Sequence, residues 1–437
     1  MLQSRLWEPK RFIEGRSMIK AEEYSQRREK LVEKLEDGSI AILFAGVGKK
    51  RSGDQNYDFA VNRNFYYLTG IEQENSILML VKADGEVSTY LFIDERDEKV
   101  EKWIGIKLTD DKARDISGIE NVCVRSSFDG KFAASLGNNM THFGEIKKIY
   151  LDLESELKID ERKSTREFEE EVKAKYPSLV VEDVHDFVMQ LRIIKSPAEI
   201  EMIKDAINTT DVALKNVLSK MEAGRFEYNL RNIFNFTVKE DLNADLAFPS
   251  IVAGGKNAVI LHYPDAQDVL NKDDLVLLDV GAAKGNYCAD ISRTYPISGK
   301  FSLLQKKIYS IVLECNKQTA KFIRPGILLK EVQEFALNYL AEECFAQGLI
   351  PSKDRIRDVY YHSVSHHLGL DTHDGNDRDS KLASGMVITC EPGLYFKEHG
   401  IGVRIEDDVL VTESGSEVLS KDIIKEINDI ERILRAK

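Results

Sequence analysis

Four acidic residues and a group of histidines in the second half of the chain have the types and spacing for metal chemistry. In DLVLLDVGAAKGNYCADISRTYPI (274–297), two β-type runs flank Lys284-Gly285, and glycine suits the left-handed backbone of a tight turn. A two-residue loop at Lys284-Gly285 sets Asp279 directly opposite Asp290, with both carboxylates on one face and a few ångströms apart. The apolar LVLL before Asp279 indicates burial, and two like charges buried together call for a cation. The alternative is an exposed hairpin with two solvated acids.

A second acidic pair lies in CEPGLYFKEHGIGVRIEDDVLV (390–411), where a return centred near Glu398-His399 brings Glu391 and Glu406 together. Pro392 interrupts the first of these runs, and taken alone the pair also fits an ordinary polar strand face. The segment HSVSHHLGLDTHD (362–374) carries four of the chain's eight histidines. His362 and His366, four apart, share a face on either a helix or a strand. One such histidine would read as a core residue; a cluster fits catalysis or metal binding. Four carboxylates and a histidine suit a pair of divalent cations, and Mn²⁺ matches this oxygen-rich set better than a thiolate-seeking metal. Cys288 and Cys390, beside two of these residues, read as core filler.

Something must position these groups, and 437 residues allow two or three domains. The hydrophobic content of 43% with 31% charged residues is that of a globular chain rather than a disordered one. A net charge of −13 argues against a general nucleic-acid surface. No apolar run reaches the length of a membrane span, and the N-terminus lacks a leader pattern. The five cysteines include no CxxC pair, so neither a disulfide framework nor a zinc ribbon is expected. These features fit a cytoplasmic protein. GVGKK (46–50) and AGGKN (253–257) fail the P-loop spacing, and neither HExxH nor GxSxG occurs.

Along the first half, SIAILFA (39–45), SILMLVK (76–82), STYLFI (88–93) and KIYLD (148–152) read as strands. Segments 96–107 and 164–175 between them have helical periodicity, giving an α/β domain. In RIIKSPAEIEMIKDAI (192–207), Ser196, Pro197 and Glu199 form a helix start with a capping box. Ile200, Ile203 and Ile207 follow on one face, so a second domain opens here. The expected organisation is an N-terminal α/β domain over 17–182, a linker near 183–195 and a second domain over 196–437.

The ordered set Asp279, Asp290, His366, Glu391 and Glu406 within DVGAAKGNYCADISRT, SHHLGLDTHD, CEPGLY and GVRIEDD resembles the pita-bread metallopeptidases. That family includes the Xaa-Pro aminopeptidases, prolidase and methionine aminopeptidase. MIKAEEYSQRREKLVEKL, RSGDQNYDFAVNRNFYYLTGIEQENSILML and RIIKSPAEIEMI are similar to the aminopeptidase P group, and the likeness runs over about 18–412. It is thin over about 110–180.

The resemblance implies an N-terminal α/β domain of the creatinase/prolidase type, followed by an α+β pita-bread catalytic domain. It implies five metal ligands (Asp279, Asp290, His366, Glu391 and Glu406) holding two divalent ions, with catalytic roles for His262, His362, His373, Glu391 and Arg404. Glu391 would relay a water's proton, while His362 and His373 would steady the tetrahedral oxyanion or position the peptide. His367 has no such counterpart and is expected to be structural. The implied substrates are peptides with proline at position 2, and the implied assembly is a homo-oligomer. The alternatives are a prolidase of the same fold and a non-catalytic peptide-binding scaffold.

Overall fold

The computed structural model describes residues 19–136, 145–153, 163–375 and 381–435. Residues 17 and 18, at the expected start of the first domain, lie outside the described residues. Two compact units separate between Arg192 and Ile193.

The first unit, from Ile19 to Arg192, is built on a six-stranded mixed sheet. Its strand order is Asn121–Val124, Glu86–Ile93, Ile77–Ala83, Ser39–Phe44, Lys148–Leu151, Val180–Asp183. All four runs read as strands from the sequence are strands, and helices Glu98–Ile104 and Lys163–Lys175 fall in the segments read as helical. Strand Ser39–Phe44 runs antiparallel to Ile77–Ala83 and parallel to Lys148–Leu151. Ile40, Ile42, Met79, Phe92, Ile149 and Leu151 form the buried apolar layer beneath it. The segment after Asp183 is mostly not extended: His185–Arg192 is a helix of this first unit, with Val188 buried.

The second unit is α+β. Helix Pro197–Lys220 starts at the Ser196 cap, with the Glu199 carboxylate reaching back to the Ser196 amide at 3.0 Å and Pro197 in the first turn. Ile203 and Ile207 are buried along its inner face. Helices Glu227–Glu240, Leu303–Phe322 and Leu329–Ala346 accompany it. The strands form short antiparallel ladders: Ile251–Gly254 with Leu275–Val280 and Ile291–Pro296, and Val387–Cys390 with Asp407–Val411 and Ser416–Val418. Gly393–Phe396 pairs with Ile401–Arg404. Among the described residues no helix is long and apolar enough to cross a membrane.

The first acidic hairpin differs from the expected register. Its turn is Gly285-Asn286, not Lys284-Gly285, and Lys284 pairs with Tyr287. Both turn residues have positive φ, 52° and 67°, a conformation that glycine and asparagine accept far more readily than lysine. Moving the loop by one residue slides the pairing by two, so Asp279 faces Ser292 rather than Asp290. A slide of two preserves the face, which leaves both aspartates on the same side of the ribbon. The second hairpin has the expected centre. Gly393 pairs with Arg404 and Cys390 with Asp407, and this common register sets Glu391 opposite Glu406.

Candidate metal centre

Three segments converge on one buried cluster. Asp290 precedes strand Ile291–Pro296, Glu406 follows strand Ile401–Arg404, and His366 comes from an irregular stretch beside Val387–Cys390. Donor atoms of Asp290, His366 and Glu406 all lie within 4.8 Å of one another, the spacing of a metal site. His366 Nε2 is 3.4 Å from Asp290 Oδ2 and 3.7 Å from Glu391 Oε1. The other ring nitrogen, Nδ1, lies 3.0 Å from the His367 carbonyl. A carbonyl only accepts, so Nδ1 carries a proton, and Nε2 is the nitrogen turned to the carboxylates, where it could serve as a metal ligand.

Asp279 sits at the edge of this group. Its Oδ2 takes a 2.6 Å bond from Arg404 Nη2. Arg404 is buried and each of its three nitrogens has a partner: Nε donates to Ser292 Oγ at 2.7 Å, and Nη1 donates to Tyr395 OH at 3.0 Å. Ser292 Oγ in turn donates to Glu406 Oε2 at 2.7 Å. One guanidinium and one hydroxyl therefore tie the first acidic hairpin to the second.

The electrostatics show what the donor set suits. Burial, then repulsion from Asp279, Asp408 and Glu391, raises the Asp290 carboxyl well above the usual range. Burial, then Asp290, Glu391 and Asp279, does the same to Glu406. Burial pushes Glu391 up to about 7, against the opposing pull of His366 and Arg404. Arg404 alone leaves the four carboxylates under-neutralised. A divalent cation reverses this imbalance, and the oxygen-rich donor set with one imidazole fits such an ion.

His362 Nδ1 lies 2.7 Å from the Ser363 carbonyl, so it is the donor, and Nε2 accepts from Tyr395 OH at 2.8 Å. Burial, then Arg404, lowers His362 to about 3, so the ring is neutral. With both nitrogens occupied, His362 orders the site rather than presenting a free N–H. His373 is exposed, with its ring 4.3 Å from that of His366 in an edge-on arrangement. His262 is exposed on the loop after Gly255–Val259. Buried Glu227 holds that loop by accepting from Gly254 N at 2.6 Å, Asn257 Nδ2 at 2.9 Å and Tyr263 OH at 3.1 Å. His367 is buried, as are Cys288 and Cys390.

Ser292, Thr389 and Tyr395 belong to the site without having been singled out from the sequence. Thr389 clamps His366 twice, accepting from its amide at 3.1 Å and donating its own amide to the His366 carbonyl at 2.9 Å. Their signal is strand alternation, since each lies two or four residues from an acidic site residue.

A carboxylate–histidine cluster at the junction of antiparallel ladders in an α+β unit, preceded by an α/β unit, defines a metallohydrolase of the pita-bread type. The chain matches Metallopeptidase family M24 over residues 201–413 and the Aminopeptidase P, N-terminal domain, over residues 24–143. It is 31% identical to the Xaa-Pro aminopeptidase of Escherichia coli K12 over 96% of this chain and 99% of that protein. A solved structure of a candidate aminopeptidase P from Bacillus anthracis superposes with a TM-score of 0.92 at 45% identity, covering 96% of this chain and 99% of that one. The E. coli aminopeptidase P bound to the inhibitor Pro-Leu gives 0.86 at 30% identity, with coverage of 96% and 99%. The chain belongs to metallopeptidase family M24.

Proposed function

We propose that this chain is a metal-dependent Xaa-Pro aminopeptidase, releasing the N-terminal residue that precedes a proline. The carrying observation is the buried Asp290–His366–Glu406 cluster, with Glu391 beside it, in a chain similar over nearly its whole length to Xaa-Pro aminopeptidases. The proline-containing inhibitor on the E. coli neighbour supports the substrate class.

In this reading Asp279, Asp290, His366, Glu391 and Glu406 hold two divalent ions, Mn²⁺ being the choice that suits the donors. The ions supply Lewis acidity, lowering the pKa of water and polarising the scissile carbonyl. Glu391, less buried than Glu406, accepts the proton of the attacking water and passes it to the leaving amine. His373 donates to the developing oxyanion, and His262 lines the peptide's path. Arg404 and His362 act as positioning groups: Arg404 through Asp279 and Ser292, and His362 through its contact with Tyr395. Assembly as a homo-oligomer and residence in the cytoplasm complete the proposal. The latter is supported by five free cysteines, four of them buried.

Assay with Xaa-Pro-Xaa and Xaa-Pro peptides in the presence of Mn²⁺ tests the reading. Cleavage of the tripeptides at the first bond is expected. Activity confined to dipeptides would assign the chain to prolidase chemistry instead.

A further inference from the structure

The two glutamates Glu391 and Glu406 face each other where the surrounding ladder is interrupted. Their backbone amides do not bond across the pair. Glu391 N donates to Val364 O at 2.9 Å, and Glu406 N donates to Ser292 O at 3.0 Å. The missing bridge comes from a helix. Asn316 on Leu303–Phe322 is fully buried, and its Nδ2 donates to Cys390 O at 3.0 Å and to Ile405 O at 3.3 Å. These carbonyls belong to the residues immediately before each glutamate.

A carbonyl and the following N–H share one rigid peptide plane. The plane entering Glu391 is held at its oxygen by Asn316 and at its nitrogen by Val364 O. The plane entering Glu406 is held at its oxygen by the same Asn316 and at its nitrogen by Ser292 O. Fixing both planes fixes where the two Cα atoms stand, and so the base from which each carboxylate reaches into the site. The amide's orientation is itself determined: Lys425 Nζ, which only donates, lies 2.9 Å from Asn316 Oδ1. Nδ2 must then face the two carbonyls, with one N–H for each.

We propose that Asn316, oriented by Lys425, is a positioning residue that sets the spacing of Glu391 and Glu406 for metal binding. The proposal rests on both glutamates being metal ligands. Nothing in the local sequence NKQTAKF marks it; the residue lies on a helix distant in sequence from both strands.

The test titrates Mn²⁺ into metal-free protein by calorimetry. Asn316→Asp keeps the volume but removes the N–H groups, and should weaken Mn²⁺ about tenfold or more. Val312→Ala, a buried position on the same helix, lowers stability without touching the two carbonyls and should bind within about twofold of wild type. Asn316→Ala, which deletes both N–H groups, should weaken binding in the same direction and is the variant to read if Asn316→Asp fails to melt cooperatively. Lys425→Met frees the amide to flip and should follow, but it also takes an ion-pair partner from buried Asp407. Binding within about twofold of wild type in the variant read, or an equal loss in Val312→Ala, overturns the proposal. Glu406→Ala separates the two ideas. If it binds Mn²⁺ like wild type, the ligand assignment fails; if it loses Mn²⁺ while the Asn316 and Lys425 variants do not, only the positioning role fails.

Discussion

Lys195 and Asp374 form an ion pair of 2.9 Å in which each side chain is only 1% exposed. Asp374 closes the histidine segment, and its amide bonds at 2.9 Å to the His367 carbonyl that also receives His366 Nδ1. Lys195 immediately precedes the Ser196 cap, so the pair ties the start of a long helix to the loop that carries His366 and His373. Lys195→Met removes one partner and leaves a carboxylate buried in a low-dielectric site, a lesion of about 3–5 kcal/mol. At about 2 °C per kcal/mol for a unit of this size, the melting temperature should fall by about 6–10 °C. Lys195→Met with Asp374→Leu should recover part of that fall, since an apolar pair leaves no charge stranded. Gly369→Ala should injure the same spot by another route. Its Cβ would stand 2.2 Å from Asp374 Oδ2 and 2.8 Å from Lys195 Cε. Differential scanning calorimetry on metal-free and Mn²⁺-loaded protein reads all three variants. A fall below about 2 °C for Lys195→Met, or a double variant less stable than the single one, would refute the reasoning.

Three further outcomes are expected. Asp290→Ala and Glu406→Ala should each abolish peptide turnover while leaving a cooperatively melting protein; retained activity in either would remove that residue from the ligand set. In metal-free protein burial raises the Glu391 pKa to about 7 from the ordinary carboxylate value of 4.5. The folded state therefore binds more protons between these values, and stability falls as pH rises through that window. At 1.36 kcal/mol per unit, Glu391→Gln should relieve about 3 kcal/mol near and above pH 7. Thermal melts of EDTA-treated protein from pH 4 to 8 check this, and an equal slope in wild type and variant would contradict it. Tyr395→Phe removes the hydroxyl between Arg404 and His362 and should cost about 1–3 kcal/mol of stability with a drop in kcat; unchanged melting and turnover would show that this link is idle.

Much of the site was written locally. The alternation and turn spacing around Glu398-His399 set Glu391 opposite Glu406, because an antiparallel hairpin's register follows from its turn. The same logic placed Asp279 and Asp290 on one face even with the turn assigned one residue early, since period two forgives a slide of two. Capping at Ser196-Pro197-Glu199 is equally local chemistry and was legible as such.

Other features needed the folded chain. His366 lies in an irregular stretch, so no periodicity could aim its Nε2; the Thr389 clamp and the His367 carbonyl do that. Arg404's ties to Asp279, Ser292 and Tyr395 span as many as 125 positions, and those of Asn316 to Cys390 and Ile405 span 74 and 89. Lys195 meets Asp374 only because a helix start and a histidine loop are packed together. The physical division is one of range. Residue type and spacing fix which faces carry the acids, because dihedral preference and pleat act over neighbours. The separations at which those acids meet depend on buried polar groups from distant segments, whose partners exist only after the core has closed.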